Sequence, residues 1–299
     1  MKNILFVCSG NTCRSPMAAA VMNAIPHRLC NAESAGIGAF SQDPLSEGAR
    51  EVLLFTGTPV AFENSYLEHR SRPLCSEDME KYDLVVGMTQ KHTDWLLGYF
   101  PNHKHKIRSF PLEIADPFGC DRTVYLNTLV DIRKGVAQIY RELFLKTDGI
   151  FPMTESDILD ILKIETESFS NPWSQSSFQM SFENPITHGI VKIQNQEIKG
   201  YAIYSVLFED AELLDIAVSP TSRKNGAGQA LLTAVVQDCI ARNATCIRLE
   251  VRNSNTAARK LYEKHGFSYD GIRKNYYKNP TEDAYLMCLT VNEVQKETL

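Results

Sequence analysis

An apolar run, Ile4-Leu5-Phe6-Val7, delivers a cysteine into Ser9-Gly10-Asn11-Thr12-Cys13-Arg14, and a helix-forming stretch opens directly afterwards with Ser15-Pro16. That order constrains the fold more than any other stretch of the chain. A continuous apolar run suits a central parallel strand covered on both faces. Gly10 and Asn11 tolerate the unusual backbone angles of a tight loop. Ser15 is a good N-cap, Pro16 fits the first helical position, and Met17, Val21 and Ile25 repeat at helical spacing. Cys8 is therefore expected at the C-terminal end of a buried strand, facing backbone N–H groups at a helix N-terminus. Such a concavity binds an oxyanion and favours a thiolate. Arg14 adds a planar fork of donors suited to phosphate oxygens. The stretch reads as a phosphate-binding loop around a nucleophile.

A second piece lies far downstream. Asp116-Pro117-Phe118-Gly119 follows the strand-like Ile107-Arg108-Ser109-Phe110 and so sits on a loop after a strand. In a doubly wound sheet, loops at the carboxyl ends of strands converge on one crevice. A thiolate displacing a phosphoryl group needs an acid for the leaving group, and then a base for the attacking water. Asp116 suits both tasks.

With CSGNTCRSP at the start, Ser34-Ala35-Gly36 and His69-Arg70-Ser71 in the middle, and DPF late, residues 1 to about 146 resemble the low-molecular-weight protein phosphatases. The resemblance implies a flavodoxin-like doubly wound parallel four-stranded sheet. It implies that Cys8 is the nucleophile and that Ser9, Gly10, Asn11, Thr12, Cys13, Arg14 and Ser15 hold the phosphoryl group. Ser15 would stabilise the Cys8 thiolate, Asn11 would brace the loop, and Asp116 would act as general acid and then base. Thr12 and Phe118-Gly119 resemble the protein-arginine phosphatases, which read CTGNTCRSP and DPFG; tyrosine-specific members carry an aliphatic residue and paired tyrosines there. Phosphoarginine is thus the favoured substrate and phosphotyrosine the alternative, with Thr12 and Phe118 as specificity candidates. Arsenate reductases share the loop but need two further cysteines for a disulfide relay. Here Cys30, Cys75 and Cys120 each stand alone. Cys13 is either a partner for a protective disulfide with Cys8 or a buried bystander.

At 299 residues the chain allows two domains of ordinary size. It has no apolar stretch long enough for a membrane helix and no signal-peptide pattern. Eight cysteines show no dense disulfide framework, and Cys8 chemistry needs a reduced thiol, so a cytoplasmic location is expected. No metal-ligand cluster is evident, and no metal cofactor is expected. Residues 1–146 hold 16 basic and 16 acidic side chains, and residues 147–299 hold 15 and 20, so the net charge of −5 belongs to the second half. That balance argues against nucleic-acid binding there.

Strand patterns near 3–7, 31–37, 84–88 and 107–110 alternate with helical patterns near 16–26, 45–55, 90–99 and 124–145. Alternation of this kind implies an α/β fold with a parallel sheet covered by helices. The last helical pattern gives way at Lys146-Thr147-Asp148-Gly149. The expected domains are 1–147 and 150–292.

In the second half, a strand pattern over 211–218 ends at Ser219-Pro220. Arg223-Lys224-Asn225-Gly226-Ala227-Gly228 then opens a helix, again offering N–H groups to phosphate. A strand over 246–251 follows, and Asn255 starts another helix that carries Tyr262. Residues 150 to about 290 resemble the GNAT acetyltransferases, an α/β fold with a mixed sheet. Asn171-Pro172-Trp173-Ser174, Leu249-Glu250-Val251-Arg252 and Arg273-Lys274-Asn275-Tyr276-Tyr277 resemble the ribosomal-protein-alanine N-acetyltransferases in particular.

That resemblance implies acetyl-CoA as co-substrate and the N-terminal amine of a ribosomal protein as acceptor. Arg223, Lys224, Asn225, Gly226, Ala227 and Gly228 would bind the coenzyme's pyrophosphate, and Asn255 its pantetheine arm. Backbone near Ala217 and Val218 would meet the oxyanion. Glu250 would be the general base and Tyr262 the general acid. The whole reads as a bifunctional enzyme acting on a phosphorylated protein and on a ribosomal-protein N-terminus. The alternatives are another amine acceptor, or one half serving as a non-catalytic sensor.

Overall fold

Ile4, Leu5, Phe6 and Val7 are wholly inaccessible to solvent in the computed structural model, which describes residues 1–26, 28–40, 42–61 and 65–291. They lie in β1 (Lys2–Cys8). The chain divides into two compact units, Met1–Leu143 and Phe144–Leu299. The expected end of the second domain at residue 292 lies outside the described residues.

In the first unit β1 is followed by α1 (Arg14–Asn23), β2 (Cys30–Gly36), α2 (Glu47–Phe55) and α3 (Asp78–Lys81). Then come β3 (Leu84–Gly87), α4 (Gln90–Tyr99), β4 (Ile107–Ser109) and α5 (Arg122–Leu143). The sheet order is β2-β1-β3-β4, and every pair is parallel. The apolar run forms an interior strand because neighbours flank it and helices cover both faces. Leu5 and Val7 pack with Val85, Leu96 and Ile107 on the α4 side, while α1 and α5 pack together elsewhere on the unit. The order turns around between β1 and β3, which puts the crevice at the carboxyl end of β1, where Cys8 stands.

One local expectation is corrected. Helix α1 begins at Arg14 with Cys13 as its cap residue, not at Ser15. The Ser15 hydroxyl is drawn instead to Cys8 and Asn11. Pro16 is tolerated within the first turn because amides there have no intrahelical acceptor.

The second unit runs β5 (Gly149–Pro152), α6 (Ile158–Ser168), α7 (Gln175–Glu183), β6 (Thr187–Gln194), β7 (Glu197–Leu207) and β8 (Asp210–Val218). It continues with α8 (Ala227–Ala241), β9 (Cys246–Arg252), α9 (Thr256–Lys264), β10 (Ser268–Tyr277) and β11 (Glu282–Thr290). The strands form one mixed sheet, β10-β11-β9-β8-β7-β6-β5. Only the β8–β9 neighbours are parallel. Leu231, Leu232 and Val235 of α8 pack on Ala202 and Tyr204, forming the core of one face.

The β8–β9 ladder runs from Asp210↔Cys246 to Leu213↔Leu249 and stops, although both strands continue. On the other side of β8 the register slips between Tyr204↔Leu213 and Ile203↔Asp215. An extra residue of this kind bends and twists a strand. The two central strands therefore part, opening a cleft in the sheet.

Candidate functional site

In the first unit the site is built on the loop that ends β1. Cys8 is 2% exposed. Its Sγ lies 3.0 Å from Ser15 Oγ and accepts the Asn11 amide at 3.3 Å. Asn11 Nδ2 donates to Ser15 Oγ at 3.1 Å, and the serine's own hydrogen is shared between the sulfur and the Ala35 carbonyl at 3.4 Å. The thiol thus ends a hydrogen-bonded floor and does not stand in hydrocarbon.

Asn11 holds the loop. Its backbone adopts φ 55°, a left-handed conformation that asparagine tolerates better than most residues. Nδ2 donates to Ser34 Oγ at 2.8 Å, and Oδ1 accepts the Arg72 amide at 2.9 Å. The Asn11 carbonyl accepts from His69 Nε2 at 2.7 Å. Burial holds the His69 imidazole below its ordinary pKa despite that bond, with the charge of Arg70 acting in the same direction. Sequence reasoning quoted His69 without giving it a task; the structure makes it a strut under the loop.

Close packing fixes the loop from the β2 side. Cys8 is in register with Gly36, and a Cβ built on Gly36 would lie 2.6 Å from the Ser9 carbonyl oxygen. Only glycine lets the two strands' ends approach so closely.

Arg14 and Asp116, distant in sequence, meet: Nη2 donates to Oδ2 at 2.5 Å. Asp116 also accepts the Phe118 amide at 3.3 Å through Oδ1. The Phe118 ring itself is 70% exposed, at the rim. Thr12 is half-buried, and its carbonyl accepts the Ser46 amide. Cys13 is buried, donating to Ser46 Oγ at 3.2 Å and lying 3.5 Å from the Tyr125 hydroxyl. Burial and that sulfur contact push the Tyr125 phenol up to about 12.

Sequence reasoning missed Thr89 and His92. Ser9 Oγ lies 2.9 Å from His92 Nε2, and Thr89 Oγ1 lies 2.7 Å from His92 Nδ1. Burial, reinforced by the Arg14 charge, pushes His92 down to about 4, so at neutral pH it is an uncharged relay between two hydroxyls. These residues line a cavity of about 680 Å³ with Arg14 and Trp95. The signal was present: a histidine three residues after a helix-capping threonine, on a loop following a strand.

In the second unit, the 223–226 loop is exposed. Gly226 caps α8 at φ 81°, the left-handed region that favours glycine, so the first amides of α8, from Ala227 and Gly228, face outward from a tight bend. Lys224 also has positive φ. Arg223 folds back, donating from Nε to the Val218 carbonyl at 3.1 Å and from Nη2 to Ser168 Oγ at 3.0 Å. Ala217 and Val218 lie on β8 beyond the point where it leaves β9. Asn255 is the N-cap of α9, accepting the Ala258 amide at 3.1 Å.

Glu250 is the first β9 residue past the last β8–β9 pair. It accepts from Arg273 Nη1 at 2.8 Å and is hydrogen-bonded to Tyr276. The Arg-Lys-Asn-Tyr-Tyr motif of β10 thus reaches the proposed base. Tyr262 is 5% exposed. Burial raises its phenol above the ordinary range, with smaller contributions from Asp215 and Tyr277. Trp173 packs on Phe178 with ring centroids 5.4 Å apart, and its amide donates to Glu165 at 2.6 Å.

Among the described residues, no group of three or more His, Cys, Asp or Glu side chains is arranged to hold a metal ion, and no helix is long and apolar enough to cross a membrane.

Residues 3–148 match the family model of the low molecular weight phosphotyrosine protein phosphatases, and residues 158–267 match that of the acetyltransferase (GNAT) family. The protein-arginine-phosphatase of Bacillus subtilis (strain 168) is 33% identical over 152 residues, spanning 47% of this chain and 96% of its own. The ribosomal protein bS18-alanine N-acetyltransferase of Escherichia coli (strain K12) is 34% identical over 145 residues, spanning 48% of this chain and 97% of its own. A Bacillus subtilis (strain 168) relative that carries the same acetyltransferase name provisionally is 38% identical over 142 residues, spanning 47% of this chain and 94% of its own. The chain therefore belongs to two families at once, its first half to the low molecular weight phosphotyrosine protein phosphatases and its second half to the GNAT acetyltransferases.

Proposed function

We propose that this chain carries two activities: a cysteine-dependent protein phosphatase acting on phosphoarginine, and an acetyl-CoA-dependent acetyltransferase acting on the N-terminal alanine of a ribosomal protein. The observation that carries the first is the Cys8 sulfur held between Ser15 Oγ and the Asn11 amide, with Asp116 brought to the same loop through Arg14.

Cys8 attacks phosphorus as the thiolate: an S–P bond forms, the bond to the leaving nitrogen breaks, and Asp116 gives that nitrogen its proton. Asp116, now a carboxylate, takes a proton from water as the water attacks phosphorus. The S–P bond breaks, inorganic phosphate leaves and the thiolate is restored. Loop amides and Arg14 hold the equatorial oxygens throughout. Phosphoarginine is favoured by Thr12 and by the open rim at Phe118, and by the likeness to the Bacillus subtilis phosphatase. A cytoplasmic location suits a nucleophile that must stay reduced.

For the second half the supporting observation is the parting of β8 from β9 with Glu250 and Tyr262 beside it. The residues fit acetyl-CoA: a glycine-capped helix start suits a pyrophosphate, and β8 backbone at Ala217 and Val218, past the last pair with β9, suits the thioester carbonyl. When bound, acetyl-CoA supplies the activated acetyl group. Glu250, directly or through water, would take the proton of the acceptor amine. Tyr262, whose raised pKa keeps it protonated, would give its proton to the departing sulfur.

Full-length protein should release phosphate from phosphoarginine peptides faster than from phosphotyrosine peptides, and Cys8→Ser should abolish both. Release from neither substrate by the unaltered chain overturns the phosphatase reading. With acetyl-CoA and a peptide beginning Ala-Arg, mass spectrometry should find the acetyl group on the α-amine; acetylation confined to lysine side chains overturns the N-terminal assignment.

A further inference from the structure

We propose that Asp215 is the acceptor-recognition residue of the acetyltransferase half, its carboxylate receiving the ammonium group of the incoming amine while Glu165 and Tyr201 set its charge. The inference rests on the reading of this half as an amine acetyltransferase, and it names a residue outside the motifs that carry the family likeness.

Position comes first. Asp215 follows the bulge at Leu214 and lies just beyond Leu213, the last β8 residue paired with β9. It therefore stands at the opening of the cleft and is only half-buried. Its register partner on β7 is Ile203, so it shares a sheet face with Tyr201, opposite the face on which Ala202 and Tyr204 pack with α8. Tyr262 lies within its electrostatic reach. A group here meets whatever enters the cleft from the α6–α7 side.

Its neighbours control its charge. Tyr201 is fully buried, and its hydroxyl reaches Asp215 Oδ2 at 2.8 Å and Glu165 Oε2. Glu165 is 1% exposed, held by the Trp173 amide, and also hydrogen-bonded to Asp215. One phenolic hydrogen cannot serve two carboxylates at once. The chain of contacts closes only if one carboxyl keeps a proton, and like charges this close resist ionising together. Burial and the Glu165 charge push Asp215 up to about 8, while hydrogen bonds from Tyr201 and the Ile216 amide oppose the shift. The titratable groups facing Asp215 are Glu165 from α6, Tyr201 from β7 and Tyr262 from α9. On β9, Glu250 is engaged by Arg273 and Tyr276.

A cation entering the cleft resolves the conflict. As the ammonium group docks, the shared carboxyl O–H bond breaks, its electron pair stays on oxygen and its proton leaves to solvent. The ammonium is held by hydrogen bonds and charge, with no covalent bond made. A neutral group of the same shape gains nothing from the pair, so recognition is selective for a charged amine.

The test uses full-length protein and calorimetry at pH 7 in the presence of CoA, in two buffers of different ionisation heat. The probes are a peptide beginning Ala-Arg and its analogue with a hydroxyl in place of the α-amine. The unaltered chain should bind the amine at least about tenfold more tightly, releasing a fraction of a proton. In Asp215→Asn the preference should fall to within about twofold and proton release should vanish, with CoA binding unchanged. Glu165→Gln removes the neighbouring charge and so lowers the pKa of Asp215. This variant should keep the preference with less proton release than the unaltered chain, and it carries the test should Asp215→Asn not fold. Retention of the preference in Asp215→Asn, its loss in Glu165→Gln, or its absence in the unaltered chain overturns the inference. Failure of the unaltered chain to acetylate any N-terminal amine overturns the parent reading instead.

Discussion

Arg14 Nη2 and Asp116 Oδ2 lie 2.5 Å apart, although 102 residues separate them. The pair is asymmetric: the Arg14 side chain is 9% exposed and the Asp116 side chain 53%. On the proposed mechanism, a phosphoryl group entering the loop would compete for the guanidinium and leave the more exposed carboxyl, once protonated, to turn toward the leaving group. The ion pair would thus keep the proposed acid beside the loop until substrate replaces it.

Asp116→Ala should lower kcat on phosphoarginine peptides by about 10²- to 10⁴-fold, the range of a positioned acid or base. Formation of the phosphoenzyme from an aryl phosphate with a good leaving group should fall much less, since that group departs without a proton. Burst-phase kinetics separates the two, and equal losses would exclude Asp116 as the acid.

Gly36→Ala places a methyl group where the Ser9 carbonyl oxygen, at 2.6 Å, and Ala39 Cβ, at 2.7 Å, already stand. Both are parts of the frame, so the loop must move. A displacement of even about 1 Å can cost on the order of 10²-fold in rate. Phosphatase kcat/KM should fall by at least that much, while acetyl transfer stays unchanged when both are assayed on one preparation.

His92 should make the first unit acid-labile. Its pKa is about 4 when folded against an ordinary 6.5. Above pH 6.5 both states are neutral and its contribution to stability is fully present. As pH falls toward 4 the unfolded chain binds the proton first, and stability is lost, by up to about 3 kcal/mol. The thermal transition that inorganic phosphate raises should therefore drop across this window, and His92→Gln should flatten the drop. An unchanged slope in the variant would show that His92 is not the group responsible.

Tyr262→Phe removes a buried hydroxyl and little else. Acetyl transfer should slow by about 10²-fold or more at saturating substrates, with acetyl-CoA affinity unchanged by calorimetry. A matching loss of affinity would mean that the hydroxyl binds and does not donate.

The first unit was largely legible in the sequence because its signals are local. An apolar run, a glycine-bearing loop and a helix in ten residues define the nucleophile loop, and Asp116 follows from the convergence of loops in a doubly wound sheet. The helix start was misplaced because Ser15 has two possible uses, and the tertiary one, toward Cys8 and Asn11, prevails over capping. His92 escaped notice since its partners, Ser9 and Arg14, lie more than seventy residues earlier. In the second unit, the loop before α8 and the Asn255 cap were readable from glycine and asparagine chemistry. The Glu165–Tyr201–Asp215 group was not. Each member comes from a different element, and only the β8 bulge brings them together. A carboxylate beside the buried Ile161 and Ile164 on α6 was the one hint.

The reactive sulfur belongs to the last residue of β1, while Thr12 and Phe118, which the approaching side chain would meet, belong to loops. Phe118 thus stands on a different loop from the sulfur, whereas Thr12 shares the loop whose Asn11 amide reaches it. On the proposed function, a substitution at Phe118 would retune which phosphorylated residue is accepted without shifting the Cys8 sulfur.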